Sequence, residues 1–202
     1  MSVNTILFLL ANTALSGNLV AQGIGMGGLI FAIFSFQNNK RNLILFFLGM
    51  AQLFFIFHFA LLGVWTAAAM NIVGSTRTFF FIFRGRKKWT DNNSIMYVFI
   101  SLFLIAGLIS WQNWLSIVPI IAMIIETVGL WQKNPRLIRF IVFVPHPLWL
   151  AYNFIHRSYP GVLTEVFILV SLITGIIRFD ILPWVREKNI AGEEDGAFPD
   201  KS

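Results

Sequence analysis

The sequence contains no cysteine. Disulfides, thiolate metal sites and cysteine nucleophiles are therefore excluded. Charge is scarce as well. Only 12% of residues are charged, and Asp and Glu together number 9 in 202. A soluble domain carries roughly 25% charged residues, so too few are left here to cover a water-facing surface. Phosphate-binding loops, Gly-x-Gly-x-x-Gly fingerprints and His-Glu-x-x-His zinc helices are missing. No local signature suggests a Ser–His–carboxylate site. The expectation is a protein that is not an enzyme, with no cofactor and no metal.

Apolar sequence is what the chain has in abundance. Hydrophobic residues make up 57% and come in long blocks. About 20 such residues in a helix cross a bilayer, so the chain reads as a polytopic membrane protein. Seven blocks can be drawn, over 17–36, 42–62, 64–84, 94–110, 113–133, 136–157 and 160–180. A buried membrane helix is apolar all round, so length, Gly/Pro and charge define the edges. The apolar stretch from Thr5 to Leu15 is too short to cross and lacks a basic leader region. It reads as an interfacial helix or an extension of the first span.

The basic residues set orientation. With the N-terminus outside, Lys40, Arg41, Arg84, Arg86, Lys87, Lys88, Lys133, Arg136 and Arg139 all fall on the cytoplasmic side. So do Arg178, Arg186, Lys188 and Lys201, while Arg157 alone lies in an outer loop. This is the positive-inside pattern. It accounts for the net charge of +6 without a nucleic-acid partner. The basic run Arg84–Lys88 anchors at the anionic cytoplasmic leaflet. The segment 191–202 is acidic and is expected to be a disordered cytoplasmic tail.

Two hexapeptides, FQNNKR from Phe36 to Arg41 and WQKNPR from Trp131 to Arg136, share Gln, Asn and Arg in register at an offset of 95. The offset continued onward pairs His58 with Asn153. A one-residue slip in the outer loop then pairs Asn71 with Glu165 and Arg84 with Arg178. The chain therefore reads as a duplication of a three-helix unit. Two odd-numbered copies need one extra helix between them to face the same way, and the block 94–110 supplies it. The expected fold is an all-α membrane protein of seven transmembrane helices. They form a 3+1+3 arrangement of parallel repeats, as in SWEET-type transporters. Repeat one covers 17–84 and repeat two 113–180, inside a single transmembrane domain over 1–190.

The run LWLAYNFIHRSYPGVLTEVFILVSLITGIIRF in the second half, with LLGVWTAAAMNIVGSTRT in the first, resembles the YgjV family of bacterial inner-membrane proteins. The matching positions are Trp149, Asn153, Phe154, Ser158, Gly161, Glu165, the ending at Phe179, and Arg77–Thr78. The resemblance implies a place in the bacterial inner membrane and a grouping with the PQ-loop and SWEET-like superfamily. It implies fold far more than function. The family often carries an Asn before the inner Arg of each half, where this chain has Gly74 and Gly175.

Ionisable side chains inside spans are costly and mark candidate sites. Glu126 and Arg77 both lie toward the inner side and can pair across the bundle, as a structural ion pair or as an inner gate. Glu165 and Asn71 should lie at similar depth. His58 and Asn153 lie near the outer ends of their spans. These four suggest a polar ring between the repeats, or a cluster wetted at the headgroups. His146, Trp149 and Asn153 share one helix face, and Pro145 and Pro147 flank His146 and kink that helix. The face could line a central pathway, with Trp149 as a flat wall or an ordinary packed aromatic. Gly23 and Gly27 form a small-xxx-small pair, for packing inside the repeat, a homodimer seam or a hinge. The leading expectation is a transporter of a small polar solute by alternating access. The rival is a receptor or assembly factor on the same scaffold, with Arg77–Glu126 permanently paired.

Overall fold

A computed structural model describes residues 3–36, 38, 40–84, 88–132 and 134–183. The described residues are helical throughout, without a strand. The helices are α1 (Val3–Phe36), α2 (Arg41–Leu61), α3 (Trp65–Phe81), α4 (Ser94–Ile109), α5 (Ile117–Leu130), α6 (Pro135–Phe143), α7 (Pro145–Ile155) and α8 (Tyr159–Ile176). Short 3₁₀ turns precede α4 and α5, and a π-helical turn, Ile177–Ile181, extends α8. The stretch from Thr5 to Leu15 continues the first helix without a break. The acidic tail, Arg86, Lys87 and Lys133 lie outside the described residues.

Four segments are long and apolar enough to cross a membrane: Asn18–Ser35, Asn42–Leu61, Arg136–Ile155 and Tyr159–Ile181. Ser94–Ile109 and Trp114–Leu130 are apolar but shorter. The block at 64–84 is not among them. Its helix, α3, buries Thr66, Asn71, Ser75, Arg77 and Thr78, so polar residues that face protein dilute its apolar character. Large apolar side chains point outward instead, with Leu108 70%, Ile109 82% and Phe154 76% exposed. Water would not tolerate an outer surface of that kind on a soluble monomer; lipid does.

The helices pack in chain order within two sets. α2 packs between α1 and α3, while α6 and α7 pack between α5 and α8. The sets meet at two seams, α1 against α8 and α3 against α5. α4 packs on α3 and α5, beside the second seam.

The hexapeptides occupy matching places. The first joins α1 to α2 and the second joins α5 to α6. In the second, Asn134 caps α6 by accepting from the Arg136 N–H at 2.9 Å, and Pro135 sits where a helix needs no N–H donor. Trp131 donates its indole N–H to Asn93 at 2.8 Å and lies under Arg84, 3.7 Å from guanidinium carbon to ring centre.

The turns that join α2 to α3 and α7 to α8 match bond for bond, at an offset of 94. Val64 N–H donates to Phe59 O and Ser158 N–H to Asn153 O, both at 2.9 Å. Gly63 and Arg157 both take positive φ, 73° and 53°. This corrects the expected alignment. The slip precedes the turn, so His58 pairs with Tyr152 and Phe59 with Asn153. The middle helix of the second set is broken at Val144, just before Pro145, whose nitrogen has no proton to donate. Val144 N–H turns back to Ile141 O at 3.2 Å.

Glycine packing follows expectation at Gly27, where a Cβ would lie 2.5 Å from Phe54 of the same set, and departs from it elsewhere. A Cβ on Gly23 would meet nothing within 4 Å, whereas one on Gly25 would lie 2.7 Å from His58 Nδ1 and 2.9 Å from Pro160. On Gly28 it would lie 2.9 Å from Phe55. The close face of α1 is therefore Ala21, Gly25, Gly28 and Ala32, all buried, and Gly23 points away from it. We expect Gly25→Leu or Gly28→Leu to destabilise the purified protein by about 1–3 kcal/mol through overpacking. Gly23→Leu should melt like the parent in the same detergent.

Candidate functional site: a polar cavity between the two helix sets

α3 and α8 each present a polar residue at their seventh position, Asn71 and Glu165. Both side chains, 7% and 9% exposed, face one cavity of about 70 Å³. Every helix of both sets except α6 contributes to its wall, and α4 does not. From α7 come His146, Trp149 and Asn153, and from α5 comes Glu126. Six of the eight residues singled out in the sequence thus line one space.

Two ionisable pairs organise it. His146 Nδ1 lies 2.7 Å from Glu165 Oε2. With Glu165 ionised, the carboxylate only accepts and Nδ1 carries the proton of that bond. The pair joins α7 to α8 inside the second set. Arg77 Nη2 lies 3.2 Å from Glu126 Oε2, across the α3–α5 seam. Its other terminal nitrogen donates to Thr127 Oγ1 at 2.8 Å and Met123 O at 3.4 Å. The Nη2 contact is one of charge rather than an aligned hydrogen bond, and Arg77 Nε has no partner. Arg77 is fully buried, stands behind Glu126 and does not reach the cavity wall.

His58 departs from expectation. It is fully buried but does not line the cavity. Its Nδ1 lies 2.7 Å from Ala21 O and its Nε2 2.7 Å from Ser158 Oγ. A carbonyl only accepts, so Nδ1 is the donor and Nε2 accepts from Ser158. Both ring nitrogens are engaged in holding α2 to α1 and to the turn before α8. Gln22 adds a second tie there, donating to Arg157 O at 2.9 Å.

Trp149 stacks on Phe59 with ring centres 6.2 Å apart and an interplanar angle of 28°, so it is both packed and part of the wall. Asn153, 2% exposed, keeps its Oδ1 without a hydrogen-bond partner. Gly161 lets that amide approach α8, since a Cβ there would lie 2.6 Å from Asn153 Cγ.

Gln52, from α2, was missed in the sequence. It lines the cavity and accepts from Thr78 Oγ1 at 3.0 Å. Gly74 makes room for it: a Cβ there would lie 2.9 Å from Gln52 Nε2. The offset of 94, carried back, pairs Gln52 with His146. The sequence offset of 95 pairs Gln52 with Pro147 instead, which hid that correspondence.

The features described so far define a helical membrane protein that gathers its polar side chains between two packed helix sets. Residues 19–182 match the family Imp-YgjV, described as "Bacterial inner membrane protein", and the chain belongs to that family. It is also 28% identical over 160 residues to "Inner membrane protein YgjV" of Escherichia coli (strain K12), covering 79% of this chain and 84% of that protein. No solved structure matches the chain. The family and the apolar helices make it a multi-pass protein of the bacterial inner membrane.

Removing one partner of a buried ion pair leaves the other uncompensated. Arg77→Met should destabilise by about 3–5 kcal/mol. Arg77→Met combined with Glu126→Gln should recover most of that loss. Detergent melts of both single variants and the double variant give the coupling directly.

Proposed function

We propose that this protein is a small-solute transporter of the inner membrane. It would work by alternating access between two three-helix repeats, α1–α3 and α5–α8, with α4 as the linking helix. In this reading all seven blocks cross the membrane, with the N-terminus outside and the C-terminus in the cytoplasm. The packing order, the two matching seams and the matching outer turns favour parallel repeats related by an axis along the membrane normal. They support the likeness to the SWEET and PQ-loop architecture.

The observation that carries the proposal is convergence. Asn71 and Glu126 from the α3–α5 seam meet His146, Asn153 and Glu165 from α7 and α8 around one cavity. Transporters built from repeats place their sites at the repeat interface near the bilayer midplane. The cavity holds about 70 Å³, whereas drug-sized ligands occupy roughly 300–1,000 Å³. A sugar or nucleoside would therefore require the sets to part. Parting them would mean breaking Arg77–Glu126, which gives that pair the character of a gate. The role assigned to the cavity is binding and not chemistry.

The rival reading, a receptor or assembly factor on this scaffold, keeps the same pair closed throughout. Thermal melts of the purified protein against sugars, nucleosides, amines and vitamin precursors separate the two. A ligand at about 100 times its dissociation constant stabilises by about 2.7 kcal/mol. The transporter reading expects such a shift for one solute class, its loss in Glu165→Gln, and uptake of that solute into proteoliposomes. A ligand that binds but is not taken up by active, reconstituted protein would contradict transport.

A further inference from the structure

We infer that the cavity selects a small organic cation, a protonated amine, over neutral or anionic solutes. This rests on reading the cavity as a solute site. The inference starts from the balance of charge. Arg77 compensates Glu126. Glu165 has only an imidazole beside it, which is a full counter-charge only when protonated. Of the two carboxylates at the wall, only Glu126 faces a permanent cation, and an ammonium bound beside Glu165 would supply the second.

The hydrogen-bonding groups point the same way. Three donors of the wall are engaged within the protein. Asn71 Nδ2 donates to Ala67 O at 2.9 Å, Thr164 Oγ1 to Pro160 O at 2.8 Å, and His146 Nδ1 to Glu165. An acceptor is left over: Asn153 Oδ1, buried at the cavity wall, has no partner. An ammonium group has three donors and no acceptor, which suits Asn153 Oδ1 and the Glu165 carboxylate.

The rest of the wall is aromatic, from Phe55, Phe59 and Trp149. Carboxylate plus aromatic rings suits an organic cation. A bare metal ion is a poorer occupant. Calcium takes six to eight oxygen ligands, and the described residues hold no group of three His, Cys, Asp or Glu that could grip a metal. The size of the space, about 70 Å³, suits a few waters or an amine of similar bulk.

The test is direct binding of radiolabelled methylammonium to the purified full chain at fixed ionic strength. Sodium chloride, sodium acetate and glycerol serve as competitors. We expect saturable binding that none of the three displaces. Affinity should weaken at least tenfold in Glu165→Gln and measurably in Asn153→Ala, and stay unchanged in the outward-facing Ile72→Ala. If Glu165→Gln does not fold, Asn153→Ala against Ile72→Ala decides alone. Absence of saturable methylammonium binding to folded protein overturns the inference, as does displacement by acetate or glycerol, or equal affinity in Asn153→Ala and the parent. Methylammonium binding without flux in proteoliposomes upholds the cation site and removes transport. Flux of a neutral solute without methylammonium binding upholds transport and overturns the cation site.

Discussion

A guanidinium cannot sit inside a membrane protein without a counter-charge, and Arg77 supplies the constraint on which this molecule turns. It is wholly buried on α3 and meets Glu126 and Thr127 on α5. That contact crosses the seam between the two helix sets. Removing charge from water costs several kcal/mol per ion, so the seam must hold wherever the charges remain. α4 covers the same place, with the Phe103 ring centre 5.5 Å from the Arg77 guanidinium carbon. The opposite seam is tied differently. There His58, Ser158 and Gln22 make neutral hydrogen bonds that tie the middle of α1 to α2 and to the turn before α8. One seam is thus held by a charged pair and the other by neutral bonds.

The second constraint is that lipid offers no hydrogen bonds. Outward faces are apolar, and the polar residues of α3, α5, α7 and α8 are driven inward. The cavity results from this gathering. His146 pairs with Glu165, Gln52 accepts from Thr78, and Asn153 Oδ1 is left without a partner. An unsatisfied buried acceptor is costly and makes sense where something else supplies the donor.

Much of this was legible in the sequence. The helix edges followed from apolar runs and punctuation, and the paired hexapeptides marked the same turn in both sets. Arg77–Glu126 and the shared wall of Asn71, Asn153 and Glu165 followed from the cost of polar groups in apolar blocks. Other features were not legible. The register was one of them: the helix ends match at an offset of 94, Phe36 with Leu130 and Arg41 with Pro135, one short of the hexapeptides' 95, so His58 was aligned with Asn153 and assigned to the cavity. The neutral ties of His58 depend on a carbonyl of α1 that no pattern announces. The close face of α1 was misread because the Gly23–Gly27 spacing is more conspicuous than the alternation of Ala and Gly from Ala21 to Ala32. Gln52 looked like a solitary polar residue until its three-dimensional neighbours were known.

The absence of native cysteine makes single-cysteine labelling in native membranes the most direct test of a water-accessible cavity between the two sets. Asn71 and Ile72 are adjacent at one depth but face opposite ways, inward and 52% exposed respectively. Thr164 and Leu163 form a second such pair, inward and 51% exposed. The account predicts that a small water-soluble methanethiosulfonate modifies Asn71→Cys and Thr164→Cys and spares Ile72→Cys and Leu163→Cys. Modification of the outward pair with protection of the inward pair would contradict it.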